Sequence, residues 1–386
     1  MRLNIFLAIL LLLMQACTAT GTALPPVTPT DTPAPFFPDT PVPATIPAPV
    51  ISRPGMVSLR MFDELEGWGI AENAIVRTNT GGQVWHNVSP TGITAFGFSV
   101  SGFFRNGQQA WVLAPDADDP MGEGQLYRTS DGGLTWQSNP VPFSSAHLVF
   151  VSEQNGWAMA NLGAGAGSMA VAIFRTSDGG KNWEQVFTND PNLAGSSESL
   201  PLGGIKMSFT ALNAQTAWVG GVVYAPGTFY FYRTTDGGKT WAEQNLPLPP
   251  NAETGEVAIS QGPVFFSPTE AVLPVRFAGE NFRTAIYATK DGGQRWKYVS
   301  AQPGAGSVDF VSPAEGVFWS GEQFFATYDG GATWSGVQPD ILFGDSFIGM
   351  DFVNMRTGWV WTYEPTGARH LYKTTDGGAT WFAIGG

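Results

Sequence analysis

A short motif recurs seven times along the chain and constrains the fold more than any other feature of the sequence. Its clearest copy is Thr-Thr-Asp-Gly-Gly-Lys-Thr-Trp at residues 234–241, which reads T-x-D-G-G-x-x-W. The final tryptophans of successive copies lie between 38 residues (296 to 334) and 58 residues (183 to 241) apart. A period of this size indicates one supersecondary unit repeated in series. The copies span residues 78–85, 129–136, 176–183, 234–241, 289–296, 327–334 and 374–381.

The composition of this motif, hereafter the box, is that of a tight hairpin turn. Two consecutive glycines accept positive φ without a clash of Cβ, and the preceding Asp can accept hydrogen bonds from the N–H groups of the turn. The first copy has Thr80 in place of this Asp, so we expect a looser turn there. The predicted structural residues of the boxes are Asp131, Asp178, Asp236, Asp291, Asp329 and Asp376, with Trp85, Trp136, Trp183, Trp241, Trp296, Trp334 and Trp381.

A second signature precedes most boxes: a Phe followed several residues later by Gly-Trp or a variant, as in Phe150 and Gly156-Trp157. Each unit therefore predicts four antiparallel strands, with the box in the hairpin between the third and fourth. Repetition of such a unit is typical of the blades of a β-propeller. We predict an all-β, seven-bladed β-propeller of four-stranded antiparallel blades over residues 56–386. Because the tryptophans follow the repeat, we interpret them as core packing between blades and not as a carbohydrate platform.

The first 55 residues lie outside the repeat and predict an export signal followed by a spacer. The apolar run from Ile5 to Met14 is too short to span a bilayer and is typical of a signal peptide. Cys17 follows it directly, so residues 1–16 predict a lipoprotein signal peptide with lipidation at Cys17; the alternative is an ordinary signal with an incidental Cys. Residues 17–55 are rich in Pro and Thr and predict a flexible linker. The predicted location is the extracytoplasmic side of the cell envelope, on a membrane anchor.

The charge of the chain argues against nucleic acid as a partner. The formal net charge is −13, and charged residues make up only 13% of the sequence. Binding to phosphates needs clustered Lys and Arg, and no run of basic residues occurs. We therefore exclude nucleic-acid binding.

The boxes, together with the Phe and Gly-Trp signature, resemble the Asp-box (BNR) repeats of sialidases, xyloglucanases, sortilin-type receptors and photosystem II stability and assembly factors. The pattern is most similar to the last group, whose members form seven-bladed propellers. This resemblance implies a basic patch that engages a membrane-protein client. The alternative for such residues is pairing across the hairpin, as between Arg175 and Glu184. The matching basic residues precede the box Thr: Arg77, Arg128, Arg175, Arg233 and Lys373.

Other charged residues are candidates for a polar site. We assign no catalytic residue, cofactor or metal to it. The acidic loop 116–123 offers the ligand type that calcium prefers, but an exposed acidic loop is the alternative. Glycoside hydrolysis needs two carboxylates across a pocket. First-strand residues could line a central channel, where the alternative is a solvated channel or an internal ion pair. The channel candidates are Arg60, Lys206, Asp309 and Asp351.

These patterns favour a lipid-anchored binding or scaffold protein without chemistry of its own, whose partner is a protein client such as a membrane protein. The alternative is a surface glycoside hydrolase that acts on glycans. Loops of variable length at the end of the propeller opposite the boxes are the predicted binding surface, and the basic residues beside the boxes are the rival surface.

Overall fold

The repeated motif folds as a series of four-stranded antiparallel meanders. The computed structural model describes residues 46–116, 122–250 and 255–384. All of them lie in one compact unit, Pro43–Gly386. The other unit, Met1–Val42, lies outside the described residues, and so do the predicted signal peptide, Cys17 and most of the predicted linker.

Apart from β1, each meander pairs its strands in sequence order, and seven meanders follow one another in the described part of the chain. The first three comprise β1 (Val50–Ile51), β2 (Met56–Met61), β3 (Gly67–Ala71), β4 (Ile75–Thr78) and β5 (Trp85–Asn87); β6 (Ser101–Phe104), β7 (Ala110–Pro115), β8 (Gly124–Thr129) and β9 (Gln137–Val141); and β10 (Ala146–Phe150), β11 (Gly156–Gly165), β12 (Ser168–Thr176) and β13 (Glu184–Thr188).

The fourth and fifth meanders are joined by an extra strand, β18, into one nine-stranded sheet. Their strands are β14 (Ile205–Ala211), β15 (Ala217–Val223), β16 (Phe229–Thr234), β17 (Ala242–Glu243) and β18 (Val257–Ala258), then β19 (Val264–Phe265), β20 (Ala271–Phe277), β21 (Arg283–Thr289) and β22 (Lys297–Pro303).

The last two meanders are separate four-stranded sheets. They comprise β23 (Val308–Phe310), β24 (Gly316–Trp319), β25 (Phe324–Thr327) and β26 (Ser335–Val337), then β27 (Phe347–Phe352), β28 (Gly358–Tyr363), β29 (Arg369–Thr374) and β30 (Phe382–Ile384). The helical segments of the described residues are two short 3-10 turns, Gly97–Ser99 and Gly344–Ser346. No helix in this part of the chain is long and apolar enough to cross a membrane.

Strand β1 extends the first sheet with residues that the sequence assigns to the linker. Val50 pairs with His86 of β5, and Ile46, just before β1, is only 5% exposed in the adjoining core. The seventh meander has four strands of its own, so β1 is a fifth strand of the first sheet and does not complete the last. The ordered domain therefore begins before residue 56.

Every box lies in the hairpin between the third and fourth strands of its meander, as the sequence predicts. In the fourth copy the Thr234 hydroxyl donates to Asp236 Oδ1 over 2.8 Å, and Gly238 N donates to Thr234 Oγ1 over 3.0 Å. Asp236 Oδ1 also accepts the N–H of Thr240 at 3.0 Å. Trp241 Nε1 donates to the carbonyl of Gly238 over 3.1 Å, so the closing Trp is tied to the turn.

The first box keeps the same turn although it lacks the Asp. Gly81 and Gly82 have φ values of 68° and 87°, close to the 72–80° and 72–95° of the first and second glycines in the other boxes. Thr80 Oγ1 accepts the N–H of Val84 at 2.9 Å, in the role of the missing carboxylate. The expectation of a looser turn was therefore wrong, because a hydroxyl replaces the acceptor.

The boxes and the turns between first and second strands share one end of each sheet. The first glycine of each box donates its N–H to a carbonyl of that turn, as from Gly237 to Gln215 over 3.0 Å. We call this the box end. The opposite end, which carries the hairpins between second and third strands, is the loop end.

The core lies between successive sheets and contains the tryptophans. Those that open the second strands are fully buried, and those that close the boxes are buried or partly buried. Trp157, for example, shares a cluster with Phe209 and Trp241 of the next meander. The last meander packs on the first in the same way, since Trp359 and Trp85 share another cluster. The interpretation of the tryptophans as core packing is confirmed.

Candidate functional site

The five basic residues before the boxes lie against the tryptophans of their own sheets. Arg175 is directly across from Trp157 on the neighbouring strand, and its guanidinium lies 5.0 Å from the centre of the indole ring. The other four pairs have the same register, with distances from 4.7 Å (Lys373 over Trp359) to 5.9 Å (Arg77 over Trp68). Such geometry is that of a cation–π contact.

Each Trp–cation pair also reaches the next sheet. Trp157 Nε1 donates to the carbonyl of Asn213 over 3.1 Å, and a Cβ at Gly237 would collide with Arg175 Nη1. A Cβ at Gly238 would approach the Trp157 ring to 2.9 Å. The pair therefore occupies the space above both glycines of the following box.

Both members of the pair are absent together in two sheets. The fifth sheet has Val272 across from Ala288, and the sixth has Val317 across from Ala326. This co-occurrence favours a structural role for the basic residues. Arg77 and Lys373 are buried, and burial lowers the pKa of each. Their role in binding a partner stays a prediction.

Three of the four predicted channel residues come together where the sixth, seventh and first sheets meet. Arg60 Nη1 lies 3.1 Å from Asp351 Oδ1, and the N–H of Met61 donates to Asp351 Oδ2. Asp309 Oδ2 accepts the N–H of Phe352 at 2.6 Å. Each carboxylate thus accepts a backbone N–H from the following sheet, so the pair joins first strands of three sheets.

The environment of these carboxylates disfavours their charged form. Burial raises the pKa of Asp351, while Arg60 opposes this and the nearby Asp309 adds to it. Burial likewise raises the pKa of Asp309, against the hydrogen bond from Phe352 and the charge of Arg60. Each carboxylate therefore has one oxygen that accepts a backbone N–H from the following sheet, and Asp351 also pairs with Arg60.

Lys206 does not join this group. Its side chain is buried, and Nζ lies 4.9 Å from the centre of the Tyr230 ring. Burial lowers its pKa to about 7. Four carbonyl oxygens surround the ammonium group at 2.7 to 3.0 Å, an arrangement that fastens the preceding loop to the sheet; they belong to Met169, Pro201, Leu202 and Gly204.

Two cavities along the first strands are visible only in the structure. One, of about 500 Å³, lies between β2 and β6 towards the box end, with Arg60 and Arg105 in its wall. The other, of about 440 Å³, extends to the loop end and to β10, with Phe98 and His147 in its wall. Their walls come from three different sheets, which is why spacing along the sequence does not reveal them.

The acidic loop is described only at its two ends. Asp116 follows β7 and Glu123 precedes β8, and residues 117–121 lie outside the described part. In the described ranges, no group of three His, Cys, Asp or Glu side chains could hold a metal ion. Calcium binding by this loop stays a hypothesis.

These features define the class of the fold: an all-β chain of four-stranded antiparallel sheets of the propeller type. Residues 232–243 match the BNR/Asp-box repeat family, which confirms the predicted resemblance.

Two solved structures have a similar fold. One is YCF48 bound to D1 peptide, at 18% identity and a TM-score of 0.51, with 86% of this chain and 96% of that chain covered. The other is YCF48 from Cyanidioschyzon merolae, at 15% identity and a TM-score of 0.51, with 85% and 95% covered. The sequence also matches a xyloglucanase of Hypocrea jecorina (strain QM6a), at 25% identity over 248 residues. That match covers 55% of this chain and only 29% of the xyloglucanase.

Proposed function

We propose that this protein is a non-catalytic scaffold that binds a protein client on the extracytoplasmic side of a membrane. The observation that carries the proposal is that both channel carboxylates take part in contacts between sheets. Asp309 and Asp351 each accept a backbone N–H from the neighbouring sheet. A rigid propeller with variable loops is a common platform for recognition.

The proposed platform is a closed ring of seven blades. Support comes from the contact between the last and first meanders, where Trp359 Nε1 donates to Gly81 O over 3.0 Å. Trp111 makes the same bond to Gly179 O of the following sheet, also at 3.0 Å. The seventh meander therefore contacts the first as the second contacts the third.

A protein client is favoured by the similarity in fold to YCF48 bound to D1 peptide, which covers most of both chains. To test this, the full chain would carry a photo-crosslinker at an exposed position of the loop end, such as Tyr224. We expect one dominant crosslinked protein from native membranes. The matched control carries the crosslinker at Leu134, exposed in the second box. Failure of both positions to capture any protein would contradict the proposal.

A glycoside hydrolase is the second candidate, because the sequence match to a xyloglucanase spans more than half of this chain. The test is release of reducing ends from xyloglucan by the purified protein, with Asp309→Asn and Asp351→Asn as variants. We expect no release above the buffer blank. Release that both variants abolish would replace the scaffold proposal with the hydrolase.

Membrane attachment would depend on Cys17, the one cysteine of the chain. We expect Cys17→Ser to move the protein from the membrane to the soluble fraction, because the thioether that carries the lipid is lost. Fractionation after a salt wash measures this. A variant that still sediments with the membrane would rule out lipidation at Cys17.

A further inference from the structure

The two cavities form one cleft along the first strands of sheets one to three. Both have Ser58 of β2 and Gly102 of β6 in their walls, so they meet at these residues. Gly102 is exposed and has no side chain to divide the space. From Val57 to Phe62 the cleft follows five steps of extended chain, about 17 Å at ~3.3 Å per residue.

The box end of the cleft is cationic. Arg105 is exposed and donates to the amide oxygen of Gln109 over 2.6 Å, and among the described residues no carboxylate lies within ion-pair distance of it. Arg60 is 56% exposed at its side chain and uses one nitrogen for Asp351. The walls of both cavities contain neither Asp nor Glu. Arg105 therefore offers a guanidinium without an ion pair, while Arg60 is already paired with Asp351 and the Gln109 amide beside Arg105 also donates to Glu153.

The loop end of the cleft combines apolar walls with neutral polar groups. Val57, Phe98 and Met169 supply apolar surface, and Phe98 is 78% exposed at the rim. The guanidinium of Arg369, which is paired with Glu72, lies 5.3 Å from the centre of the Phe98 ring, so an apolar side chain would pack on the remaining surface of that ring. Asn161 and His147 supply hydrogen-bonding groups. Such a wall can pair with the N–H and C=O groups of an extended chain and also accept its apolar side chains.

We propose that this cleft binds an extended segment of the protein client, with an Asp or Glu side chain at the Arg105 end and an apolar side chain beside Phe98. The inference rests on the proposed scaffold function and names the chemistry of its partner. A length of about 17 Å holds about five extended residues. An arginine fork binds a carboxylate through two parallel hydrogen bonds, which fixes the direction of the segment.

An acidic glycan fits the cleft less well. Sugar rings stack on broad aromatic faces and need a polar group for most hydroxyls, whereas neither cavity has Trp or Tyr in its wall. The apolar side chains at the loop end would leave sugar hydroxyls without partners. The polypeptide is therefore the occupant that the wall favours.

The test measures binding of a dye-labelled, C-terminally amidated pentapeptide, Leu-Ser-Leu-Ser-Glu, to the full chain by fluorescence anisotropy. Arg105→Gln should weaken binding at least tenfold, because the cation is lost while the turn keeps its backbone bonds. Gly102→Val, which adds side-chain atoms where the cavities meet, should weaken it similarly. Arg356→Gln is the matched control, since it removes an exposed Arg from the same kind of turn in sheet seven. It should change binding less than twofold.

The remaining measurements distinguish an acidic peptide from other ligands of the cleft. The Gln analogue of the peptide should bind wild type at least tenfold more weakly than the Glu peptide. Equal effects of Arg105→Gln and Arg356→Gln, or no measurable peptide binding, would overturn the proposal. Tighter binding of an oligogalacturonate, lost in Arg105→Gln, would assign the cleft to acidic glycans. If the photo-crosslinker still captures a client in both Arg105→Gln and Gly102→Val, the scaffold function would stand, but the client would bind outside the cleft.

Discussion

At the scale of single residues, the two glycines of the fourth box are required by the preceding sheet as well as by the turn. Gly237 and Gly238 have φ values of 78° and 89°, a region that residues with a Cβ rarely adopt. Arg175 and Trp157 fill the positions that a Cβ would occupy. The motif therefore encodes a turn and a contact between sheets at once.

Loss of one cation should weaken this contact measurably. Arg175→Met keeps the length of the side chain and removes its charge over Trp157, which lies 5.0 Å away. We expect the free energy of unfolding to fall by about 1–2 kcal/mol, the range for a partly desolvated cation–π contact. Urea denaturation measures it. Lys181→Met changes an exposed position in the box that follows Arg175, and it should alter the free energy of unfolding by less than about 0.5 kcal/mol. Equal losses in the two variants would show that the Arg175–Trp157 contact does not contribute to stability.

The box carboxylates should make stability depend on pH in the acid range. Partial burial of Asp178 favours its neutral form, but hydrogen bonds from the backbone and side chain of Asn182 and from Thr176 outweigh this and lower its pKa to about 2. The folded state therefore binds this proton less readily than the unfolded chain. Its contribution is present above pH ~4 and is lost as pH falls towards 2.

Asp178→Asn should therefore reduce the fall in Tm between pH 4 and pH 2 without removing it, since five other boxes keep their Asp. Thermal melts followed by circular dichroism measure the fall. Glu322→Gln, which removes an exposed carboxylate outside any box, should keep the wild-type profile. A steeper fall in Asp178→Asn than in wild type would contradict the assignment.

At the scale of elements, β1 shows that the domain includes part of the Pro-rich segment. Ile46 packs with Trp68 and Val88, and Val50, in β1 itself, is 64% exposed. We expect Ile46→Ala to lower the free energy of unfolding by about 2–4 kcal/mol, because a buried side chain leaves a cavity. Val50→Ala should lower it by less than about 0.5 kcal/mol. Chemical denaturation of both variants measures the difference, and two neutral variants would show that the segment does not stabilise the first sheet.

The sequence predicted the structural elements that are specified by residues close together in the chain. Each box hairpin is specified within eight residues, so its position was predictable. The turn at Thr80 was not, because the sequence does not show that the hydroxyl replaces the Asp acceptor. The strands β1 and β18 were not, because each is short and is defined by pairing with distant strands. The same holds for the site: Asp309 and Asp351 were recognised as candidates, but their backbone partners lie on other sheets. Lys206 was assigned to the channel because nothing in its neighbourhood reveals the ring of carbonyl groups.

At the scale of the whole molecule, the seventh meander contacts the first, as the proposed closed ring requires. Asp351 contributes to it through Arg60 and the N–H of Met61. Trp359 contributes through the carbonyl of Gly81, and their sheets share one core cluster. In the described residues no strand is exchanged between these meanders, so this junction depends on side-chain packing and on hydrogen bonds between side chains and backbone groups.

Removal of the Asp351 carboxylate should open this junction before the rest of the molecule. Asp351→Ala leaves the N–H of Met61 without its acceptor, so we expect a loss of about 1–3 kcal/mol, the range for a buried donor left unpaired. Hydrogen exchange measured by mass spectrometry should increase in β2 and β27 and stay unchanged in β10, because the loss is local. Asp345→Ala, an exposed position outside the junction, should leave all three strands as in wild type. A uniform increase in exchange across all sheets would indicate global destabilisation and contradict a specific role of Asp351 in closure.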